Sequence, residues 1–404
     1  MSKSLIVSSP GKTILFGEHA VVYGATALAA AVSLRSYCKL QTTNNNEIVI
    51  VMSDIGTERR WNLQSLPWQH VTVENVQHPA SSPNLDLLQG LGELLKNEEN
   101  GLIHSAMLCT LYLFTSLSSP SQGCTLTISS QVPLGAGLGS SATISVVVAT
   151  SLLLAFGNIE PPSSNSLQNN KALALIEAWS FLGECCIHGT PSGIDNAVAT
   201  NGGLIAFRKA TAHQSAMKEF LKPKDTLSVM ITDTKQPKST KKLVQGVFEL
   251  KERLPTVIDS IIDAIDGISK SAVLALTSES DKNSSAKKLG EFIVLNQKLL
   301  ECLGVSHYSI DRVLQATKSI GWTKLTGAGG GGCTITLLTP ECKEEEFKLC
   351  KESLLAHKNS IYDVQLGGPG VSVVTDSDSF FPQYESDFDF KKLNLLSKFN
   401  KYYI

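Results

Sequence analysis

Pro133-Leu-Gly-Ala-Gly-Leu-Gly-Ser-Ser-Ala142 is the stretch on which the reading of this chain turns. Three glycines at alternate positions leave backbone N–H groups uncovered and permit φ values that side chains forbid. Ahead of them, residues 124–132 alternate polar and apolar, as a strand does. Behind them, residues 144–156 are a long apolar run that reads as a buried helix. A strand, a glycine loop and a helix start make an anion site, because free N–H groups and the positive helix end converge on one spot. The anion expected there is a phosphate. No lysine follows Gly139, so this is not a Walker A loop, and the spacing is G-x-G-x-G rather than the dinucleotide G-x-G-x-x-G. A close-packed turn without a ligand is the plain alternative. Ser140 and Ser141 each read either as a helix cap or as a hydroxyl ligand of Mg²⁺ beside a phosphate.

The 404 residues, 42% hydrophobic and 18% charged, have ordinary soluble composition and room for two domains. A net charge of -2 gives no support for a nucleic-acid or membrane partner. Nine cysteines form no CxxC pair and no zinc-finger spacing. Their odd number and apolar settings fit reduced thiols in an intracellular protein, so a cytoplasmic location is expected. The opening residues lack a secretory apolar region, and no apolar run reaches the ~18 residues of a membrane span.

Along the chain, strands are expected at residues 5–9, ending in a Pro10-Gly11 turn, and at 33–42 and 47–52, joined by the polar turn 43–46. Further strands are expected at 202–207, 227–232, 333–338 and 371–375. Helical patterns cover 101–117, 171–187, 240–253, 257–278 and 286–303, with a polar loop at 161–170. Composition shifts around residues 218–225, which suggests one domain over 1–222, a second over 223–376 and a tail over 377–404. Strands mixed with helices suggest α+β layers.

Other segments carry candidate chemistry. The run Gly327-Ala-Gly-Gly-Gly-Gly332 matches G-x-G-x-x-G, but a strand follows it, so the dinucleotide reading fails its context. It reads as a flexible connection or as backbone that must approach a ligand closely. Pro10-Gly-Lys-Thr-Ile-Leu-Phe-Gly-Glu-His19 sets Lys12, Glu18 and His19 among apolar residues, where charge is costly unless paired or solvated in a cleft. Asp195 precedes Ala-Val-Ala, at the edge of burial; it is an acid–base candidate or a helix N-cap. Glu184, on the same helix face as Glu177, is a metal-ligand candidate or a side chain reaching for solvent. The basic turn at 232–242 can bind a carboxylate or phosphate; lysines in water, with Ser239 or Thr240 as N-cap, is the plainer reading.

The order of these motifs resembles the GHMP small-molecule kinases. Pro-Gly-Lys near the amino end, then Pro-x-Gly-x-Gly-Leu-Gly-Ser-Ser-Ala, then Thr326-Gly-Ala-Gly-Gly-Gly-Gly-Cys333 carry the resemblance, which runs from about residue 4 to 375. Within that family the chain looks like the members that act on mevalonate. Residues 10–24, Gly183-Glu-Cys-Cys-Ile-His-Gly-Thr-Pro-Ser-Gly-Ile-Asp-Asn-Ala-Val198 and 324–333 decide this. The resemblance implies an α+β, two-domain GHMP kinase fold. Its amino domain would be like domain 2 of ribosomal protein S5, and its carboxyl domain a ferredoxin-like α/β sandwich. It implies transfer of the γ-phosphoryl of ATP to the 5-hydroxyl of (R)-mevalonate, with Mg²⁺, in isoprenoid and sterol synthesis, and a homodimer.

Site roles carry over by position. Ser141 and Glu184 match Mg²⁺ ligands, Asp195 the general base and Lys12 its catalytic neighbour. A lysine beside a carboxylate weakens it as a base, so Lys12 better acidifies the acceptor hydroxyl and steadies transferring charge. Lys12, Asp54, Ser130, Gly135, Ala136, Gly137, Leu138, Gly139, Ser140 and Ser141 match the nucleotide side. Lys12, Glu18, His19, Asp195 and Thr240 match the mevalonate side. Another GHMP kinase, for phosphomevalonate, homoserine or a sugar, is the nearest alternative. A non-catalytic regulator of the same fold is a further one, opposed by the persistence of Lys12, Ser141, Glu184 and Asp195.

Overall fold

The computed structural model describes residues 3–71, 76–211, 214–223, 227–277, 282–375 and 400–401. Two long strands open it, β1 (Ser4–Phe16) and β2 (Ala27–Thr43), followed by β3 (Glu47–Met52) and β4 (Thr57–Asn62). Helices α1 (Leu85–Leu94) and α2 (Gly101–Leu117) precede β5 (Gly123–Ser130), α3 (Ser140–Ala155), α4 (Ser166–His188) and α5 (Ile194–Asn201). The hairpin β6 (Leu204–Arg208) and β7 (Met217–Leu221) leads to β8 (Leu227–Asp233) and three helices, α6 (Thr240–Arg253), α7 (Pro255–Thr277) and α8 (Lys282–Cys302). Then come α9 (Tyr308–Thr317), β9 (Gly321–Leu325), β10 (Cys333–Leu338), α10 (Glu344–Ala356), β11 (Ser360–Leu366), β12 (Ser372–Thr375) and β13 (Asn400–Lys401).

Strand β2 is the spine. It pairs antiparallel with β1 along its length, with β6 over residues 27–30 and with β5 over residues 36–43. Where it changes partner, Val32 meets Leu366 of β11, which joins the two sheets. Strands β11, β8, β10 and β9 continue from there, all antiparallel. Helices α2, α3 and α4 cover the amino-terminal sheet with one core that includes Val146, Leu152, Ile176 and Phe114. Helix α3 is buried on nearly every side, which its apolar composition permits.

Several expectations are corrected. Pro10-Gly11 is no turn; β1 runs through it with a register shift between Pro10 and Lys12. A β-bulge absorbs the proline and re-aims the next residue. Strands 33–42 and 47–52 do not form a hairpin, because β5 lies between them, antiparallel to β2 and parallel to β3. Helix α4 begins at Ser166, inside the stretch read as loop, because the Asn165 side chain accepts from the Gln168 N–H and caps it. Residues 217–221, just before the expected boundary at 222/223, form β7 against β6. The strand expected at 371–375 is present at Ser372–Thr375, and it returns to pair with β1. Most of the 377–404 tail lies outside the described residues; Asn400 and Lys401 pair with β12.

Arg35 sits at the partner switch of β2 and is 1% exposed. Its guanidinium donates to Ser8 Oγ (3.1 Å), Ser8 O (3.1 Å), Pro369 O (2.8 Å) and Gly370 O (2.6 Å). Burial pulls its pKa down to about 10, so it stays charged at neutral pH. Arg35→Met is expected to cost about 2–4 kcal/mol, because four buried acceptors lose their donor. Arg35→Lys should not restore it, since one ammonium cannot span that fork. Urea unfolding checks this; a wild-type midpoint for the Met variant would refute it.

Candidate active site

A cleft of about 1090 Å³ opens over the glycine loop and is lined by Lys12, Asp54, Gly135, Ser141, Glu184 and Asp195 among others. That is at the upper end of the roughly 300–1,000 Å³ typical of small-molecule sites.

The floor is the loop itself. Gly135, Gly137 and Gly139 have φ of 72°, 81° and 76°, the left-handed region expected of them. Ala136 and Leu138, expected on the nucleotide side, are buried in the core and are not among the residues that line the cleft. The cap position of α3 is Gly139, with no side-chain cap. Neither Ser140 nor Ser141 therefore caps the helix, and its first N–H groups have no acceptor within the helix. The bulge in β1 sends the Lys12 N–H to Leu138 O at 2.9 Å, which fastens the loop to the strand. Gly11 is required there, since a methyl group would lie 2.9 Å from Leu138 O.

One wall holds the acids and Lys12. Lys12 Nζ lies 3.1 Å from Asp195 Oδ1. Asp195 stands in the first turn of α5, whose cap is Gly193, so it is not the N-cap. Ser141 Oγ donates to Glu184 Oε1 at 3.3 Å and lies 3.1 Å from His188 Nε2. Glu184 is 3% exposed, and its Oε2 has no partner among the described residues. Burial, with the Asp195 charge adding to it, pushes the Glu184 carboxyl up to about 7. Ser140 Oγ is also buried without a partner.

The other expected residues border the cleft with much of their polarity already engaged. Asp54 accepts from Ser129 Oγ (2.9 Å) and from the Ser130 N–H (2.5 Å). Ser130 Oγ lies 2.8 Å from Ser36 Oγ. The Glu18 carboxylate is paired with Lys324 and accepts from Asn296 Nδ2 at 3.1 Å. His19, with φ of 58°, donates from Nε2 to Ala328 O at 2.8 Å, and burial lowers its pKa. Thr240 opens α6 behind its cap, Ser239. Sequence reasoning missed His188, which stood unassigned inside a quoted motif. It did not single out Lys238, which stood in the basic turn read either as a phosphate or carboxylate binder or as solvated, and which lines the cleft.

Family models for the GHMP kinases match at both ends of this architecture, the N-terminal domain over residues 103–203 and the C-terminal domain over 272–349. Fold and cleft together are those of a GHMP kinase. Mevalonate kinase from Gibberella zeae is 37% identical, covering 93% of this chain and 78% of its own. The human mevalonate kinase is 37% identical, covering 92% of this chain and 96% of its own. A solved L. major mevalonate kinase, in complex with R-mevalonate, superposes with a TM-score of 0.65 at 21% identity, covering 90% and 96%. At that identity it speaks for the fold. Within the GHMP kinases, the chain belongs to the mevalonate kinase family.

A carboxyl whose folded pKa is raised contributes stability that is complete below its unfolded value of 4.5 and lost as pH rises through about 7. The shift of His19 is opposite in sign, so the variant isolates the acid. Glu184→Gln should melt higher than the wild type at about pH 8 and gain little at about pH 5 in the ligand-free protein. Parallel melting curves across that range would show that Glu184 is ionised throughout.

Proposed function

We propose that the protein transfers the γ-phosphoryl group of ATP to the 5-hydroxyl of (R)-mevalonate, giving 5-phosphomevalonate and ADP. The observation that carries this is the Lys12–Asp195 pair set directly against Gly139 of the anion loop. Phosphate held on the loop puts its terminal phosphorus beside the one acid–base pair of the cleft wall. Family membership supplies the acceptor.

Loop N–H groups from Gly135 to Ser141 and the start of α3 hold the phosphates. The hydroxyl oxygen of mevalonate attacks the γ-phosphorus, the bond to the β-bridging oxygen breaks, and ADP leaves. The hydroxyl proton passes to Asp195. Lys12 holds Asp195 in place and stabilises charge on the transferring group. His19 and Thr240 border the acceptor side, with Glu18 holding that wall through Lys324. Asp54 shapes the nucleotide side by fixing Ser129 and Ser130.

Mg²⁺ fits the residues present. Glu184 keeps a buried oxygen without a partner, beside the hydroxyl of Ser141. These two would hold the ion, which when bound neutralises phosphate charge. No group of three acidic, His or Cys side chains gathers among the described residues. That suits an ion which takes one or two protein ligands and completes its shell with phosphate and water.

The same reading makes residues 1–222 the ATP-loop domain and 223–376 the second domain. It sets the enzyme in the cytoplasm, as a homodimer, in isoprenoid and sterol synthesis. Free cysteines support the location, and no helix among the described residues is long and apolar enough to cross a membrane.

Two measurements test the proposal. ADP release should be fast with mevalonate and negligible with phosphomevalonate, homoserine or galactose; activity on phosphomevalonate alone would overturn it. Asp195→Ala should bind ATP normally while kcat falls at least about 10³-fold. A kcat near wild type would remove Asp195 from the mechanism.

A further inference from the structure

The cleft holds a cation that no other residue neutralises. Lys12 is paired with Asp195, and Lys235 with Asp233 at 2.8 Å. Lys238 has no ion pair and no hydrogen bond among the described residues. The one carboxylate whose charge acts on it is Asp233, already bonded to Lys235. Burial pushes the Lys238 ammonium down, and Lys12 adds to that. A half-buried ammonium without an acid is costly unless a ligand anion supplies the charge.

Its place is built by both glycine segments. A methyl group on Gly137, the middle glycine of the anion loop, would lie 3.7 Å from Lys238 Nζ. A methyl on Gly332 would collide with the same side chain. Gly331 abuts Gln236 in the same way, and Gly330 abuts Leu243. The Thr234 N–H donates to Gly332 O at 2.9 Å. Gly327, Gly329, Gly330, Gly331 and Gly332 all have positive φ. The second glycine run is therefore not a slack hairpin. It is a bed without side chains, pressed under residues 234–243. Pro237 on one side and the capping Ser239 on the other restrict the backbone at Lys238.

Two cations thus stand over neighbouring glycines of one loop, Lys12 over Gly139 and Lys238 over Gly137. The first is balanced by Asp195 and contributes little net charge. Of these two, Lys238 is the one that brings uncompensated positive charge to the loop.

We propose that Lys238 binds the γ-phosphate of ATP over Gly137, and that the glycines at 330–332 are there to seat it. This rests on the ATP-dependent kinase reading. A flexible ammonium is a point charge that can follow the phosphoryl group as charge spreads over its outer oxygens.

Direct titration of the full-length protein with ATP and with ADP, in buffer containing Mg²⁺, separates this from a structural role. Lys238→Met should weaken ATP by about tenfold or more and ADP by under about threefold. Its kcat/KM for ATP should fall about 100-fold, while KM for mevalonate changes by under about threefold. Lys238→Arg should recover most of the ATP preference. Gly332→Ala, which displaces the ammonium without removing it, should reproduce the loss selective for ATP. Equal weakening of ATP and ADP, a defect confined to KM for mevalonate, or no effect would each overturn the assignment. A wild-type protein that binds ATP but leaves mevalonate unphosphorylated would instead overturn the acceptor, and leave the ATP-against-ADP comparison valid.

Discussion

The ion pair between Glu18 and Lys324 is the constraint on which the cleft depends. Both side chains are fully buried. Glu18 follows the end of β1 and Lys324 lies on β9, so the pair crosses from the amino-terminal sheet to the far edge of the other. Asn296 of α8 donates to the same carboxylate, Lys324 also donates to Leu325 O at 2.7 Å, and Gln297 accepts from the Leu325 N–H at 2.8 Å. A buried pair contributes little net stability, but losing one partner strands a charge and costs several kcal/mol. Its value here is register. Next in sequence, His19 bonds to Ala328, so the amino-terminal motif is tied to the second glycine run at two adjacent residues.

Glycine does two different jobs in the two runs. In residues 135–139 it allows the left-handed backbone of the cleft floor while Ala136 and Leu138 anchor the loop in the core. In residues 327–332 it removes side chains so that residues 234–243 can lie close. Both segments pay the entropy of ordering flexible backbone. In both, the return is the placement of a group that a bulkier loop would hold off.

Charge across the cleft is arranged asymmetrically. Asp195 is matched by Lys12, whereas Glu184 keeps a bare oxygen in a site that raises its pKa. An unmatched acid and an unmatched lysine thus share one cavity, both lining it. Neither forms an ion pair among the described residues.

Much of this was legible in residue order. Periodicity located α2, α6 and β10 at their observed bounds, because each is bracketed by turn or capping residues such as Asn100 and Ser239. Strand β9 was not found: it is five residues long and lies against a glycine run that draws the eye. Helices α9 and α10 were not found; α9 is only ten residues long, and in α10 the charged residues hide the apolar face. The anion loop, the acid and lysine candidates and the family resemblance also came from the sequence, since φ freedom, hydroxyls and carboxylates are local properties. Only the tertiary structure decided which charges are matched. Glu18 proved bound to Lys324, 306 residues away, and Lys238 proved free beside Gly137. Pairing depends on distance in space, and long-range contacts between sheet edges leave no mark on the spacing of residues along the chain.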